Sequence, residues 1–303
     1  MEISYIEDKN ALAYSIDKRD FSMINSIIEN NKDNLNFYIE KDNKLFGYKI
    51  KIVEQLTKVY GYNVYVVNFY SKNISHSFNI HEDNIISNVM KDLSVQLKKL
   101  NGYIIMKVPS DNLMLISQCN IHLKDVIFTG GIVCYYANKI NNKEFKEDGL
   151  KISVISREKK HELKSKLVPI IQESFKEYYG QYHISHITRE KANIIYENWI
   201  EEYINSNEEN IIMAEYNNEI AGVLSIDDAE FTLELVLAGV THKFRKLNIY
   251  ERMIRYGSNL GLSKNKIVTT STQFDNYSSQ RTWINCGFKP YSSYYLYHMN
   301  YVK

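Results

Sequence analysis

Apolar and polar residues follow two different periods along this chain, and the two periods predict where its strands and helices lie. Apolar residues spaced three or four apart predict long helices at 83–100 and 189–203. They also predict a helix across 159–179 despite Pro169, and one that begins at Ile249 and stops at Gly261. Continuous or alternating apolar runs predict strands at 62–67, 103–108, 126–136, 151–155, 211–216, 220–226, 231–240 and 266–272. The mixture predicts an α/β (α+β) protein rather than an all-helical or all-strand one.

The order of these elements predicts two domains after an N-terminal helical extension at 1–35. Strands and helices alternate from 62 to 136, which is typical of a small α/β domain, placed at 36–148. Residues 138–149 are polar and charged with no regular pattern, and they predict a linker. A second domain, 149–303, then begins with a strand, two helices and three strands, and continues with a helix, a strand, a helix and further strands.

The chemistry-bearing part of the sequence lies in the second domain, where an apolar strand runs into a basic loop and a helix. The segment reads Val240-Thr-His-Lys-Phe-Arg-Lys-Leu-Asn-Ile-Tyr250. The first N–H groups of a helix are unpaired and its dipole is positive at that end, so such a loop suits an anion such as pyrophosphate. Further on, Asn276 stands where an N-cap belongs, ahead of a helix that closes at Gly287-Phe288.

This ordered set resembles the acyl-CoA half of the GNAT acyltransferase fold. More specific matches are Ile249-Tyr250, Gln280-Arg-Thr-Trp283 and Ser293-Tyr-Tyr-Leu-Tyr-His298, which resemble a branch with N-acetyltransferases of nucleotide-linked amino sugars. The resemblance implies a mixed, largely antiparallel central sheet in the second domain. It also implies a cofactor-binding set that comprises Ala238 and Val240 for pantetheine, the pyrophosphate loop residues Arg245, Lys246, Asn248, Ile249 and Tyr250, and Asn276.

Three positions depart from the family pattern. Members usually have glycine at the position of Asn248 and glycine or alanine at the position of Tyr250. Asparagine tolerates a positive φ, and the Tyr250 side chain can point away while its N–H faces the ligand. Many members place a tyrosine seven positions after the helix asparagine as the proton donor for the leaving thiolate. Here that residue is Trp283, whose indole is no useful acid, and we expect it to serve packing.

The catalytic candidates each have a structural alternative. Tyr294, Tyr295 and His298 are candidates for the proton donor, or they pack within the sheet. Glu234 interrupts an apolar strand, so it is a candidate general base or a solvent-facing edge residue. His183, in the loop between the first two helices of the second domain, is a candidate substrate-binding residue that orients or deprotonates the amine, or a surface histidine.

Composition excludes several function classes. Lysine and arginine number 37 against 36 acidic residues, which leaves a formal charge of +1 and predicts neither nucleic acid nor a membrane surface as a partner. The three cysteines, Cys119, Cys134 and Cys286, are scattered and predict reduced thiols. The sequence starts without a signal-peptide pattern and holds no membrane-spanning run, so we expect a cytoplasmic protein. The sequence contains no Cys-x-x-Cys, HExxH or P-loop motif, and we predict no metal.

These observations lead to one expected function and two alternatives. The resemblance implies an N-acetyltransferase that uses acetyl-CoA as co-substrate and acts on a small amine, most specifically a nucleotide-linked amino sugar. Acetylation of another amine, such as an antibiotic, a peptide or a polyamine, is the alternative enzyme. A GNAT-like module that binds without catalysis is the non-enzymatic alternative. The sequence leaves open whether the protein forms a homodimer.

Overall fold

The computed structural model describes residues 35–72, 80–145, 149–178, 180, 182 and 189–303. The predicted N-terminal extension therefore lies almost wholly outside the described residues. The chain divides into two compact units. The first comprises the described residues up to Ile132 together with Ser292–Lys303, and the second is Val133–Tyr291.

The first unit is a small α/β structure, as the alternating pattern predicts. Its sheet order is β1-β2-β3-β4-β11, followed by the first part of β5. The β3–β4 pair is parallel, whereas β1–β2, β2–β3 and β4–β11 are antiparallel. The elements are β1 (Phe37–Lys41), β2 (Lys44–Ile52), α1 (Glu54–Tyr60), β3 (Val64–Lys72), α2 (Ile80–Leu97), β4 (Tyr103–Pro109), α3 (Leu113–His122), β5 (Ile127–Ala137) and β11 (Lys289–Asn300).

One face of α2 supplies much of the core of this unit. The stripe predicted from helical spacing is confirmed, because five residues along it are completely buried: Ile86, Val89, Met90, Leu93 and Leu97. They pack with residues of β2, β3, β4 and α3 in one cluster. The last strand, β11, adds Tyr297 and Met299 to the same cluster.

The second unit is built on a mostly antiparallel sheet with the order β10-β9-β8-β7-β6, and the end of β5 lies beside β10. Only the β9–β10 pair is parallel among the pairs formed by β6, β7, β8, β9 and β10. This confirms the predicted fold class. The elements are β6 (Leu150–Val154), α4 (Arg157–Glu162), α5 (Lys164–Phe175), α6 (Arg189–Asn205), β7 (Ile211–Tyr216), β8 (Glu219–Asp228), β9 (Thr232–Val240), α7 (Ile249–Ser263), β10 (Ile267–Gln273) and α8 (Tyr277–Cys286).

Two apolar clusters form the core of the second unit. One contains residues of α7 and α8 with Leu233 and Leu235 of β9. The other contains residues of α5 and α6 with Leu237 of the same strand. Strand β9 thus contributes to both clusters, and it is the central element from which the site is built.

The structure differs from the predicted pattern at three places. The helix expected across 159–179 is two helices, α4 and α5, which meet at Leu163, while Pro169 lies within α5. Helix α7 continues past Gly261, the predicted stop, to Ser263; glycine is needed there because a Cβ would lie 2.8 Å from Cγ2 of Val268. The division of the chain into compact units falls at Ile132/Val133, within β5, whereas the predicted domain border is 148/149.

Candidate functional site

The parallel strands β9 and β10 pair over only part of their length. The paired positions run from Ile267 opposite Thr232 to Thr270 opposite Leu235, and the Thr270 hydroxyl donates to the Leu235 carbonyl at 2.9 Å. Beyond Leu235, β9 continues for five residues, Val236–Val240, without a β10 partner. A strand edge that leaves its partner exposes backbone N–H and C=O groups that an extended ligand can pair with.

A β-bulge in β9 begins where this pairing ends. Two residues, Val236 and Leu237, stand opposite the single residue Ser225 of β8. The extra residue reverses the alternation of the strand, so that Leu235 packs toward α7 and α8 while Leu237 packs toward α5 and α6. Ala238 and Val240, the residues predicted to face pantetheine, follow the bulge and are half-buried.

The loop after β9 leads into the open N-terminus of α7. A 3₁₀ turn at His242–Phe244 anchors the loop through the buried Phe244. Asn248 then adopts the left-handed conformation, with φ 57°, as the prediction for this position requires. Its side chain makes no capping hydrogen bond to α7. The first N–H groups of the helix are therefore left for another acceptor.

Cationic side chains surround this helix terminus. Arg245 and Lys246 are exposed, and Nε of Arg245 lies 3.5 Å from the Val240 carbonyl. Lys243 is paired with Glu219 at 2.7 Å. Two exposed cations next to unpaired helix N–H groups suit a bound diphosphate. The residues present thus fit the pyrophosphate of an acyl-CoA.

Asn276 joins the end of β10 to α8. Its Oδ1 accepts from the Ser279 N–H at 3.3 Å, and its Nδ2 donates to Oγ1 of Thr272 at 2.9 Å. The predicted N-cap is therefore confirmed. The side chain of Asn276 is engaged within the protein, and its proposed role toward the cofactor is the placement of this helix end.

Tyr250 turns its phenol toward α8. The indole Nε1 of the buried Trp283 donates to the Tyr250 hydroxyl at 3.0 Å. Burial raises the pKa of Tyr250 to about 12, although hydrogen bonds from Ser279 and Trp283 act in the opposite direction. Trp283 also packs edge-to-face against Tyr135, with ring centroids 5.5 Å apart. The packing predicted for Trp283 is thus joined by a specific polar contact that spacing alone does not reveal.

Glu234 lies in β9 before the bulge and is half-buried. It stands opposite Asp227 of β8, which accepts from the Tyr203 hydroxyl at 2.7 Å. Burial raises the pKa of Tyr203, and the carboxylates of Asp227 and Glu234 add to the rise. Glu234 therefore lies near α6, in the same unit as the strand split.

The other predicted catalytic residues lie in the first unit. His298 is 1% exposed, and its Nδ1 lies 2.8 Å from the Tyr103 hydroxyl. Burial lowers the pKa of His298 to about 3. Tyr294 is half-buried on β11, opposite Pro109. His183, predicted to bind the substrate, lies outside the described residues.

Within the described ranges, no group of three histidine, cysteine or acidic residues is placed to hold a metal ion. No described helix is both long and apolar enough to cross a bilayer.

Comparison with known proteins gives one sequence relative and several structural neighbours. No protein-family model matches the chain. It is 28% identical over 118 residues to the spore coat polysaccharide biosynthesis protein SpsD of Bacillus subtilis (strain 168). That match covers 38% of this chain and 40% of the relative, so the chain spans well under half the length of the curated relative that it matches.

The structural similarity extends over nearly the whole chain. A GCN5-related N-acetyltransferase from Sphaerobacter thermophilus matches 98% of this chain and 94% of its own with a TM-score of 0.57 at 10% identity. A GNAT-family acetyltransferase from Colwellia psychrerythraea matches 93% and 97% with a TM-score of 0.52, also at 10% identity. At these identities the similarity establishes the fold.

Proposed function

We propose that this chain, which has the fold of the GCN5-related N-acetyltransferases, transfers an acyl group from acetyl-CoA to the amine of a small acceptor. The observation that carries the proposal is the separation of β9 from β10 beyond Leu235, directly before the uncapped N-terminus of α7. Pantetheine and pyrophosphate are neighbouring parts of acetyl-CoA. The strand edge, which suits pantetheine, leads in the same way to the helix end, which suits pyrophosphate.

Each part of the site has a stated role in this proposal. The first-turn N–H groups of α7, with Arg245 and Lys246, hold the pyrophosphate. The backbone groups of Ala238 and Val240 pair with the amides of pantetheine. When bound, acetyl-CoA supplies an acetyl group activated as a thioester. The backbone edge of Val236–Val240, which β10 leaves unpaired, lies where a donor could stabilise charge on the reacting carbonyl oxygen.

Glu234 is the proposed general base for the acceptor amine. An amine attacks only as the neutral species, so a carboxylate that takes its proton, directly or through water, increases the reactive fraction. Glu234 lies on β9 in the unit that contains the strand split, whereas His298 is buried and neutral in the other unit. These placements favour Glu234 over His298.

The proposed acceptor is a nucleotide-linked amino sugar. Two observations support it: the motif resemblance around Ile249-Tyr250 and Gln280 to Trp283, and the similarity to a protein named for spore coat polysaccharide biosynthesis. His183, in the segment between α5 and α6, is the proposed substrate-binding residue. Another amine acceptor is the competing enzyme function.

Two measurements test the proposal in sequence. Acetyl-CoA is expected to raise the melting temperature, because a ligand that binds only the folded state stabilises it. A panel of nucleotide-linked amino sugars, polyamines, aminoglycosides and peptides is then incubated with acetyl-CoA and analysed by mass spectrometry. A mass gain of one acetyl group on an amino sugar supports the full proposal. A gain only on another amine would contradict the amino-sugar acceptor and identify that amine as the acceptor instead. Absence of a thermal shift would contradict acyl-CoA binding altogether.

A further inference from the structure

We propose that the hydroxyl of Tyr250 is the proton donor to the thiolate that leaves during acyl transfer. This inference rests on the proposed function and adds a catalytic residue to it. The indole of Trp283 cannot supply that proton, but it holds a phenol that can.

The hydrogen bond between these two side chains has a fixed polarity. An indole nitrogen is only a donor, so the Tyr250 oxygen must be the acceptor in the 3.0 Å contact with Trp283. A phenol that accepts in this contact keeps its own hydrogen for a different acceptor. Tyr250 is therefore oriented as a donor, and α8 determines its position.

The Tyr250 phenol lies near residues at the open end of β10. Tyr178, which follows α5, acts electrostatically on Tyr250, and its own hydroxyl is hydrogen-bonded to Thr272 and Asn276. Thr272 comes two residues after Thr270, the last β10 residue that pairs with β9. Tyr178 therefore lies near enough to Tyr250 to raise its pKa, and its hydroxyl is bonded at the end of β10, where the strands have separated. A pantetheine chain that follows β9 would bring its sulfur into this region.

The proposed step is balanced without an additional reagent. The amine nitrogen forms a bond to the thioester carbon, and the carbon–sulfur bond breaks with its electron pair on sulfur. The sulfur takes the Tyr250 proton and leaves as the thiol of CoA, while the amine loses one proton to the base. The base then releases its proton to solvent and the Tyr250 phenolate takes one up, so the sum is amine plus thioester giving amide plus thiol.

The surroundings of Tyr250 suit this cycle. Burial raises the pKa of Tyr250 to about 12, which keeps the phenol protonated at neutral pH. Hydrogen bonds from Ser279 and Trp283 to the oxygen favour the phenolate that forms after the transfer. The same contacts therefore hold the donor before the step and stabilise its conjugate base afterwards.

The structural alternative is that Tyr250 only joins α7 to α8. A CoA-binding experiment distinguishes the two roles without any acceptor. In wild type, the thiol of bound CoA is expected to ionise at a lower pH than in Tyr250→Phe, by about one pKa unit, since the phenol donates to the thiolate. Thiolate absorbance in a pH titration gives this value. Equal thiol pKa values in both proteins, each with CoA bound, would overturn the inference.

Kinetics provide the second readout. With any acceptor that wild type acetylates, Tyr250→Phe is expected to lower kcat by about 100-fold while acetyl-CoA affinity changes little. Tyr256→Phe is the matched control, because Tyr256 is another half-buried tyrosine of α7 that lies outside the proposed site. Trp283→Phe removes the indole donor and should reduce kcat by a smaller factor, as expected for a positioning residue.

The two proposals can fail separately. If CoA binds and wild type is active but Tyr250→Phe retains kcat and an unchanged CoA thiol pKa, only the role of Tyr250 is wrong. If CoA does not bind to wild type, the proposed function fails and the inference fails with it. A melting temperature of Tyr250→Phe close to that of Tyr256→Phe excludes misfolding as the cause of lost activity.

Discussion

The hydroxyl of Ser225 accepts a hydrogen bond from the backbone N–H of Leu237 at 3.2 Å, and both residues are buried. Leu237 belongs to the two-residue side of the bulge, where a regular ladder has no carbonyl for the additional N–H. A serine side chain on the neighbouring strand takes the place of that carbonyl. The irregularity that redirects β9 is therefore supported by one side chain.

Ser225→Ala is expected to destabilise the protein by about 1–3 kcal/mol, because a buried N–H loses its acceptor. Chemical denaturation with a two-state fit measures this change. Ser263→Ala is the control, since the Ser263 hydroxyl also bonds to the backbone, as a donor to the Leu260 carbonyl, but is exposed. Equal stability of the two variants would show that Leu237 finds another acceptor.

Arg245→Glu is expected to weaken acetyl-CoA binding more than Arg245→Ala does. Alanine only removes a cation, whereas glutamate places a negative charge beside the pyrophosphate. Isothermal titration calorimetry measures both affinities, and the difference should shrink at high salt. Lys289→Glu, an exposed position on β11, makes the same charge change as a control. Unchanged affinity in Arg245→Glu would remove this loop from the site.

Glu234→Gln is expected to lower kcat by about 100-fold and to leave acetyl-CoA affinity unchanged, as for the loss of a general base. The rate should recover in part at high pH, where more of the amine is already neutral. Asp227→Asn is the matched control, because Asp227 lies directly opposite on β8 and binds Tyr203. A larger loss in Asp227→Asn than in Glu234→Gln would contradict the assignment.

His298 is expected to make the stability depend on pH. The unfolded chain takes up this proton near pH 6.5, whereas burial lowers the pKa in the folded protein to about 3. Between these values the unfolded state binds more protons, so the free energy of unfolding falls as the pH drops. The titration of His298 is expected to lower the free energy of unfolding by about 2 kcal/mol between pH 7 and pH 5.

His298→Gln keeps a hydrogen-bonding group near Tyr103 but cannot titrate in this range. Denaturation of both proteins at pH 7 and pH 5 checks the prediction. The variant should lose less stability than wild type on acidification. An identical loss in both would show that other groups account for the acid sensitivity.

Hydrophobic spacing alone predicts most of the elements of this fold. Helix α2 and strand β9 have long apolar patterns, and most of their apolar residues are buried in the structure. The left-handed Asn248 is likewise predictable, because only a few residue types tolerate that conformation. Local rules suffice wherever the local sequence and the tertiary packing require the same conformation.

The bulge and the Tyr250–Trp283 contact could not be predicted in this way. A bulge changes the phase of an apolar strand that is buried on both faces, so the sequence of β9 shows no break in its pattern. The contact joins residues that are 33 positions apart on two helices. Its only signal in the sequence is a bulky tyrosine at a position where glycine or alanine is usual. The sequence indicates that the Tyr250 side chain can point away from the ligand, and in the structure its hydroxyl contacts Trp283.

The route of β11 constrains how the protein folds during its synthesis. Ser292–Lys303 belongs to the first unit but follows the whole second unit in the chain. On the ribosome, β4 must therefore wait with one edge unpaired while about 180 further residues are made. The second unit holds all of its own residues earlier and can form first. The unit that is made later can thus fold before the one that is made earlier, and the sheet of the first unit is complete only when β11 has been made.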